Sequence, residues 1–247
     1  MIRKVALIGN GKVANYFNAQ FRALGLEVQI FARQPKSKSQ RPIEQLGKDA
    51  DLCLICIADR NIEALSKEIP AQTGILAHCS GTVPLSSLSS KHQDRGIIYP
   101  LMSITEQSTF ALSEVPLCLE ASDQSTIEQL EDFSKKYDLK AYRVPSTQRQ
   151  RLHLAAVIGH NFSNYLYHWA AQELKEVDLP LEILKPLLNQ QVKGLDQIDP
   201  IKRQTGPAVR GDNTTMETHL KMLKNPELAD LYKKLSDLIR KEYEEKL

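Results

Sequence analysis

The chain is predicted to be an α/β protein, an N-terminal doubly wound parallel sheet followed by an all-α C-terminal segment. Three observations predict this: short apolar runs alternating with amphipathic helical stretches as far as Pro145, a glycine-rich turn directly after the first run, and purely helical apolar spacing beyond Ser146.

Residues 4–8 (Lys-Val-Ala-Leu-Ile) read as the first strand, residues 13–24 as a helix stopped by Gly25, and residues 26–31 as a second, alternating strand. These make one βαβ unit. A buried-type strand at 51–58, a helix near 61–69 and strands at 74–78 and 96–99 continue the pattern, with parallel topology expected throughout. Residues 116–120 and 141–144 read as further strands around a helix starting near Ser125, and residues 34–41 as a polar, basic loop. Helical spacing then covers 152–177, 181–192 and 228–247, so the expected domains are 1–146 and 147–247.

Composition narrows the function classes. Hydrophobic residues at 42% and charged residues at 25% fit a globular protein with an ample core. A net charge of +2 gives no concentrated basic face, so nucleic acid is not an expected partner. No apolar run approaches the ~20 residues of a membrane helix, and the opening residues lead straight into a strand, so a cytoplasmic, untargeted chain is expected. Cys53, Cys56, Cys79 and Cys118 are too dispersed for a disulfide framework. Cys53 and Cys56 spell C-x-x-C inside a strand, where alternation sends the sulfurs to opposite faces, and no redox or metal role is assigned to them. His78 and His92 have no metal-ligand spacing, and no metal is expected.

The chemistry-bearing motif is Gly9-x-Gly11-x-x-Ala14, placed after a strand and opening a helix. In this Rossmann fingerprint the first glycine permits a tight turn, the second admits a pyrophosphate and the small third residue lets helix and strand pack closely. Gly9, Asn10, Gly11, Lys12 and Val13 would then cradle the phosphates with backbone N–H groups at the positive end of the helix dipole. The second strand ends in Phe31-Ala32-Arg33-Gln34, without the acidic residue that holds ribose hydroxyls in NAD enzymes. Arg33, backed by Lys36, Lys38 and Arg41, suits a 2′-phosphate instead, which favours NADP; the other reading is a solvated basic loop. Ala58 and Asp59, and Ser80 and Gly81, fall beyond later strand ends on the rim where such sheets bind ligands, although Ser80-Gly81 also reads as a plain turn before a helix.

The rim segments Ala58-Asp59-Arg60-Asn61-Ile62, His78-Cys79-Ser80-Gly81-Thr82 and Tyr99-Pro100-Leu101-Met102-Ser103, the helix with His153 and Asn161, and Thr205-Gly206-Pro207-Ala208-Val209-Arg210-Gly211-Asp212 together carry a family resemblance. Over nearly its full length the chain resembles predicted bacterial NADP oxidoreductases that pair a Rossmann-like domain with a helical domain of unknown function. More distantly it is similar to the 6-phosphogluconate dehydrogenase and pyrroline-5-carboxylate reductase superfamily. That resemblance implies hydride transfer at a cleft between the domains and a helical domain that forms dimers. Where ketopantoate reductase-like enzymes present a lysine and two asparagines, the matching positions here are His153, Val157 and Asn161.

Residues 152–172 contain no charged side chain, and His153, His160, Asn161, Asn164 and His168 fall on one side of the helical wheel, opposite Leu154, Ile158, Phe162, Tyr165 and Trp169. The apolar side is expected to be core; the uncharged polar side suits a cleft or a subunit interface. His153 is read as the proton donor or acceptor, Asn161 as a substrate-orienting group, and Arg210, in a Gly/Pro-bounded loop, as a clamp for an anionic substrate or else an ordinary surface arginine. Thr214 and Glu217 match a capping box at a helix start. The expected activity is hydride exchange between nicotinamide and a small carbonyl or imine substrate by a homodimer, the alternative being a cofactor-binding sensor with no turnover.

Overall fold

The computed structural model describes residues 2–244. It divides into two compact units, Met1–Leu166 and Tyr167–Leu247.

The first unit runs β1 (Lys4–Ile8), α1 (Lys12–Ala23), β2 (Glu27–Ala32), β3 (Gln40–Pro42), β4 (Leu52–Ile55), α2 (Ile62–Glu68), β5 (Ile75–His78) and β6 (Arg95–Pro100). It continues through β7 (Leu117–Ala121), α3 (Gln124–Lys136), β8 (Ala141–Arg143) and α4 (Ser146–Ala156) into a π-helical segment, Val157–Phe162. One eight-stranded sheet results, in the order β3-β2-β1-β4-β5-β6-β7-β8. Both faces are covered, which is why β1, β4 and β5 are nearly continuous apolar runs. On one face Leu7, Leu54 and Ala77 pack with Phe17 and Phe21 of α1; on the other Ile8, Ile55 and Leu76 pack with Ile62 and Leu65 of α2. Cys56 and Cys53 are divided between these two layers, as strand alternation requires.

Local signals end the helices. Gly25 adopts φ +78 and its N–H donates to the Arg22 carbonyl, closing α1. Asp123 caps α3 by accepting from the Thr126 N–H at 2.9 Å.

Two features of the sheet depart from the sequence reading. The polar loop after β2 returns to the edge as β3, pairing Gln40 with Ile30, because three residues of backbone ladder need no apolar pattern. β7 runs antiparallel to β6, with Tyr99 opposite Cys118, since the connection between them carries only a short 3-10 turn at Leu112–Glu114 and no crossover helix.

α4 is held to the sheet by Arg149. Its fully buried guanidinium pairs with Glu120 on β7 and donates to the Val83 carbonyl at 2.6 Å, while Ser146 Oγ donates to the same Glu120 carboxylate at 2.7 Å.

α5 (Ser163–Lys175) carries the chain into the second unit, whose further helices are α6 (Lys185–Lys193), α7 (Asn213–Met222) and α8 (Pro226–Glu244). Residues 245–247, which the helical spacing assigns to the last helix, lie outside the described residues. α7 is capped by Asp212, which accepts from the Thr215 N–H and hydroxyl, so the helix starts two residues before the Thr214 capping box expected from the sequence. Among the described residues of this unit only Gly194, Ala208 and Met216 are buried. Leu187, Val192, Leu195 and Ile198 are all more than half exposed. The same holds at the end of the first unit, where Leu154, Ile158 and Phe162 stand 49–59% exposed instead of forming the core face expected of this helix. Among the described residues, these apolar side chains are not covered within their own units.

Candidate functional site

A cavity of about 780 Å³ opens at the carboxyl ends of the first unit's strands. Sheet order fixes the sequence of groups along it. Arg33 follows β2, Gly9-Asn10-Gly11 follows β1, Ala58-Asp59 follows β4 and Cys79 follows β5.

At its centre, Gly9 adopts φ +128, its N–H donates to the Phe31 carbonyl at 2.8 Å, and a Cβ there would overlap the Cys56 carbonyl oxygen. Only glycine fits this approach of β1 to β4. The first hydrogen bond inside α1 is Asn15 N–H to Gly11 C=O, so the amides of Lys12 and Val13 precede the ladder and point out of the helix end. No acidic residue lies in that first turn and no side chain caps it. This end of the helix is therefore available to an anion. Asn10 braces the turn by donating to the Gln34 carbonyl at 2.8 Å. Arg33 and Lys36 line the cavity, and Arg33 pairs with Glu68 at 2.7 Å, both side chains well exposed. Arg41 lines a separate depression near Lys4 and Glu27.

Asp59 organises the next part of the rim. Its carboxylate accepts from the Ser80 hydroxyl at 2.6 Å and the Thr82 hydroxyl at 2.8 Å, and Ser80 Oγ accepts from the N–H groups of Thr82 and Val83. Ser80 is thus fully engaged in shaping the turn and does not line the cavity, nor does Gly81. The turn also rests on His78, whose Nδ1 accepts from the Ser80 N–H at 3.1 Å, leaving the proton on the buried Nε2. Burial, followed by the Arg149 guanidinium, pushes the His78 imidazole down to about 4.

Beyond this turn His153, the expected proton-transfer group, meets Tyr99, to which no role was assigned from the sequence. Tyr99, at the end of β6, lies 3.1 Å through its hydroxyl from His153 Nδ1 on α4, with ring centroids 6.0 Å apart. Burial raises the Tyr99 phenol, so it stays protonated and can either donate to the imidazole or accept from it. Gly81 makes the pairing possible: a Cβ there would lie 2.6 Å from His153 Nδ1 and 2.9 Å from Tyr99 Cζ. The forward signals for Tyr99 were its place at a strand's carboxyl end and its presence in a rim segment that carries the family resemblance.

Asn161 and Arg210 are the remaining predicted residues. Asn161 sits in the π segment, exposed and 3.1 Å through Oδ1 from His160 Nδ1. That segment sets the later helix back by about one residue, roughly 100°, so His153 does not share one straight stripe with Asn164 and His168. Arg210 belongs to the second unit, exposed in the turn before α7, where its charge helps hold the Asp212 carboxyl below the usual range after the Thr215 hydrogen bonds. No cluster of three or more metal-ligating side chains occurs among the described residues, and no helix of the described residues is long and apolar enough to cross a membrane.

His78 makes stability depend on pH. The unfolded imidazole takes a proton near pH 6.5, whereas the folded one resists until about 4, so its contribution is complete above 6.5 and is lost as pH falls towards 4, by about 3 kcal/mol in all. Urea unfolding measured from pH 7 to 4 should show that decline in the wild type and a shallower one in His78→Asn; equal slopes would refute the assignment.

Known structures share this architecture. A Bacteroides fragilis protein, provisionally designated an NADP oxidoreductase, is 26% identical and superposes with a TM-score of 0.85 over 97% of this chain and 98% of its own. A reductive aminase from Aspergillus terreus, solved with NADPH and ethyl-5-oxohexanoate, matches with a TM-score of 0.69 at 12% identity over 98% and 95% of the two chains. A 1-pyrroline-5-carboxylate reductase from Streptococcus pyogenes matches at 0.57 and 13% identity over 96% and 98%. At the lower identities the likeness is one of fold. No curated protein sequence matches the chain. The model of the domain of unknown function DUF2520 matches residues 115–239, from β7 into α8, and the chain belongs to that family.

Proposed function

We propose that this protein is an NADP-dependent oxidoreductase that moves hydride between the nicotinamide and a small carbonyl or imine substrate, one carrying a carboxylate. The observation that carries the reading is the order of groups along the sheet edge: a basic pair, a helix end with free amides, then a histidine hydrogen-bonded to a tyrosine. The proteins of similar fold that are named reductases or aminases support it.

The residues present fit the dinucleotide. Gly9 and the open amides of Lys12 and Val13 would receive the pyrophosphate, and Arg33 with Lys36 the 2′-phosphate. Ala58 and the Asp59-braced turn would border the nicotinamide end. The bound cofactor supplies or accepts the hydride. His153, hydrogen-bonded to Tyr99, would act in its protonated form, passing a proton to the substrate oxygen or nitrogen and returning to the neutral imidazole. Asn161 and Arg210 are assigned to orient the substrate and its carboxylate. The free cysteines suit a reducing compartment, and we place the protein in the cytoplasm.

Arg33→Asp should weaken NADPH binding by about 1–3 kcal/mol in a fluorescence titration while leaving NADH nearly unchanged. Equal affinity of the native protein for the two cofactors would sink the NADP assignment. Against a carbonyl and imine panel, His153→Ala should lower kcat by about 100-fold or more with little effect on NADPH affinity; full turnover would remove its role, and tight NADPH binding without turnover on any substrate would favour a sensor. A homodimer would cover the exposed apolar rows of α5 and α6, which include Tyr167, Leu187 and Val192. Sedimentation velocity should give twice the chain mass, and a monomer at micromolar concentration would contradict the assembly.

A further inference from the structure

We infer that Cys56 and Cys79 form a hydroperoxide-sensitive dithiol in the wall of the dinucleotide cavity, one that closes to a disulfide when the cavity lacks its cofactor. β4 and β5 are parallel with Ile55 opposite His78, so Cys56 and Cys79 are the next positions in the same register. Paired positions point to one side of the sheet, and a strand spacing of about 4.8 Å lies within the Cα separation of about 4.4–6.8 Å that a disulfide accepts. Both residues pack with the same apolar layer and both line the cavity.

The other two thiols are excluded by the sheet. Cys53 packs in the opposite layer, and Cys118 stands on β7, two strands from β5. Within the pair the roles differ. Cys79 is partly exposed to the cavity, whereas Cys56 is buried, and burial, then a hydrogen bond with Cys79, holds the Cys56 thiol well above its usual range. Cys79 is therefore the sulfur that meets the oxidant, and Cys56 waits as a protonated partner.

The chemistry closes with a hydroperoxide as oxidant. Cys79, on losing its proton, attacks the peroxide as a thiolate, the O–O bond breaks, and the leaving hydroxide takes up a proton to give sulfenic acid and water; Cys56, deprotonated in turn, attacks the sulfenic sulfur and expels hydroxide, which leaves as water, to give the S–S bond. Two thiols lose two hydrogens and two electrons, and hydrogen peroxide becomes two waters. Dinucleotide lying in the cavity would cover Cys79 and block the first step. This protection rests on the proposed cofactor site; disulfide formation does not.

The test treats the full-length reduced protein with hydrogen peroxide, with and without NADP+, and maps disulfides by peptide mass spectrometry under non-reducing conditions, NADP+ binding being measured separately by calorimetry. The expected result is a Cys56–Cys79 link that dithiothreitol reverses, forms also in a C53S/C118S protein, and forms about tenfold more slowly at NADP+ concentrations near ten times Kd, since only the unliganded state reacts. Peroxide that yields no such link in the wild type overturns the inference. A link formed equally fast while calorimetry shows NADP+ bound overturns the protection. A link formed with no NADP+ binding at all refutes the cofactor site and supports the dithiol.

Discussion

The buried Arg149 guanidinium is the interaction on which the rest of the site depends. It joins three pieces remote in sequence: Glu120 on β7, the Val83 carbonyl beyond the Ser80 turn, and α4 through its own backbone. His153 lies four residues later, on the same side of the helix and one turn along. Anchoring Arg149 against the sheet therefore brings His153 to Gly81 and Tyr99. A buried ion pair of this kind adds little net stability, because desolvation offsets the attraction, but leaving either partner alone costs several kcal/mol. Its effect is to fix one arrangement of α4 on the sheet.

The second constraint is steric. Gly9 against the Cys56 carbonyl and Gly81 against the His153 and Tyr99 rings are both places where a methyl group would not fit. One lets the glycine turn close over β4, and the other lets the His153 ring reach the sheet rim. The Asp59 carboxylate stiffens the ground between them by engaging Ser80 and Thr82 together. The Ser80 and Thr82 hydroxyls are engaged by Asp59, and His153 stands beside them hydrogen-bonded to Tyr99.

Much of the sheet was legible in advance because doubly covered strands must be apolar on both sides, and the run at 51–58 says so without ambiguity. The tight glycine turn after β1 was legible because its glycines answer to backbone geometry within one loop. β3 and the direction of β7 were not, since a three-residue edge strand carries no periodicity and strand polarity is set by the connection, not by the strand's own residues. The helical wheel misled at residues 154–162: the π segment shifts its phase, and apolar spacing reports a face that wants cover without saying whether the same chain provides it.

Local covalent structure thus determined the strand-turn-helix opening, the anion-ready amides at its helix end and the basic side chains after β2. Those features depend on residues close together in the chain, where a glycine, a missing acid or a helix start acts over a few bonds. The tertiary structure alone decided that Tyr99 meets His153, that Ser80 is bound to Asp59 and that Cys56 faces Cys79. Each is a meeting of segments more than twenty residues apart, made by strand register and by one buried arginine, and neither leaves a pattern in the linear sequence.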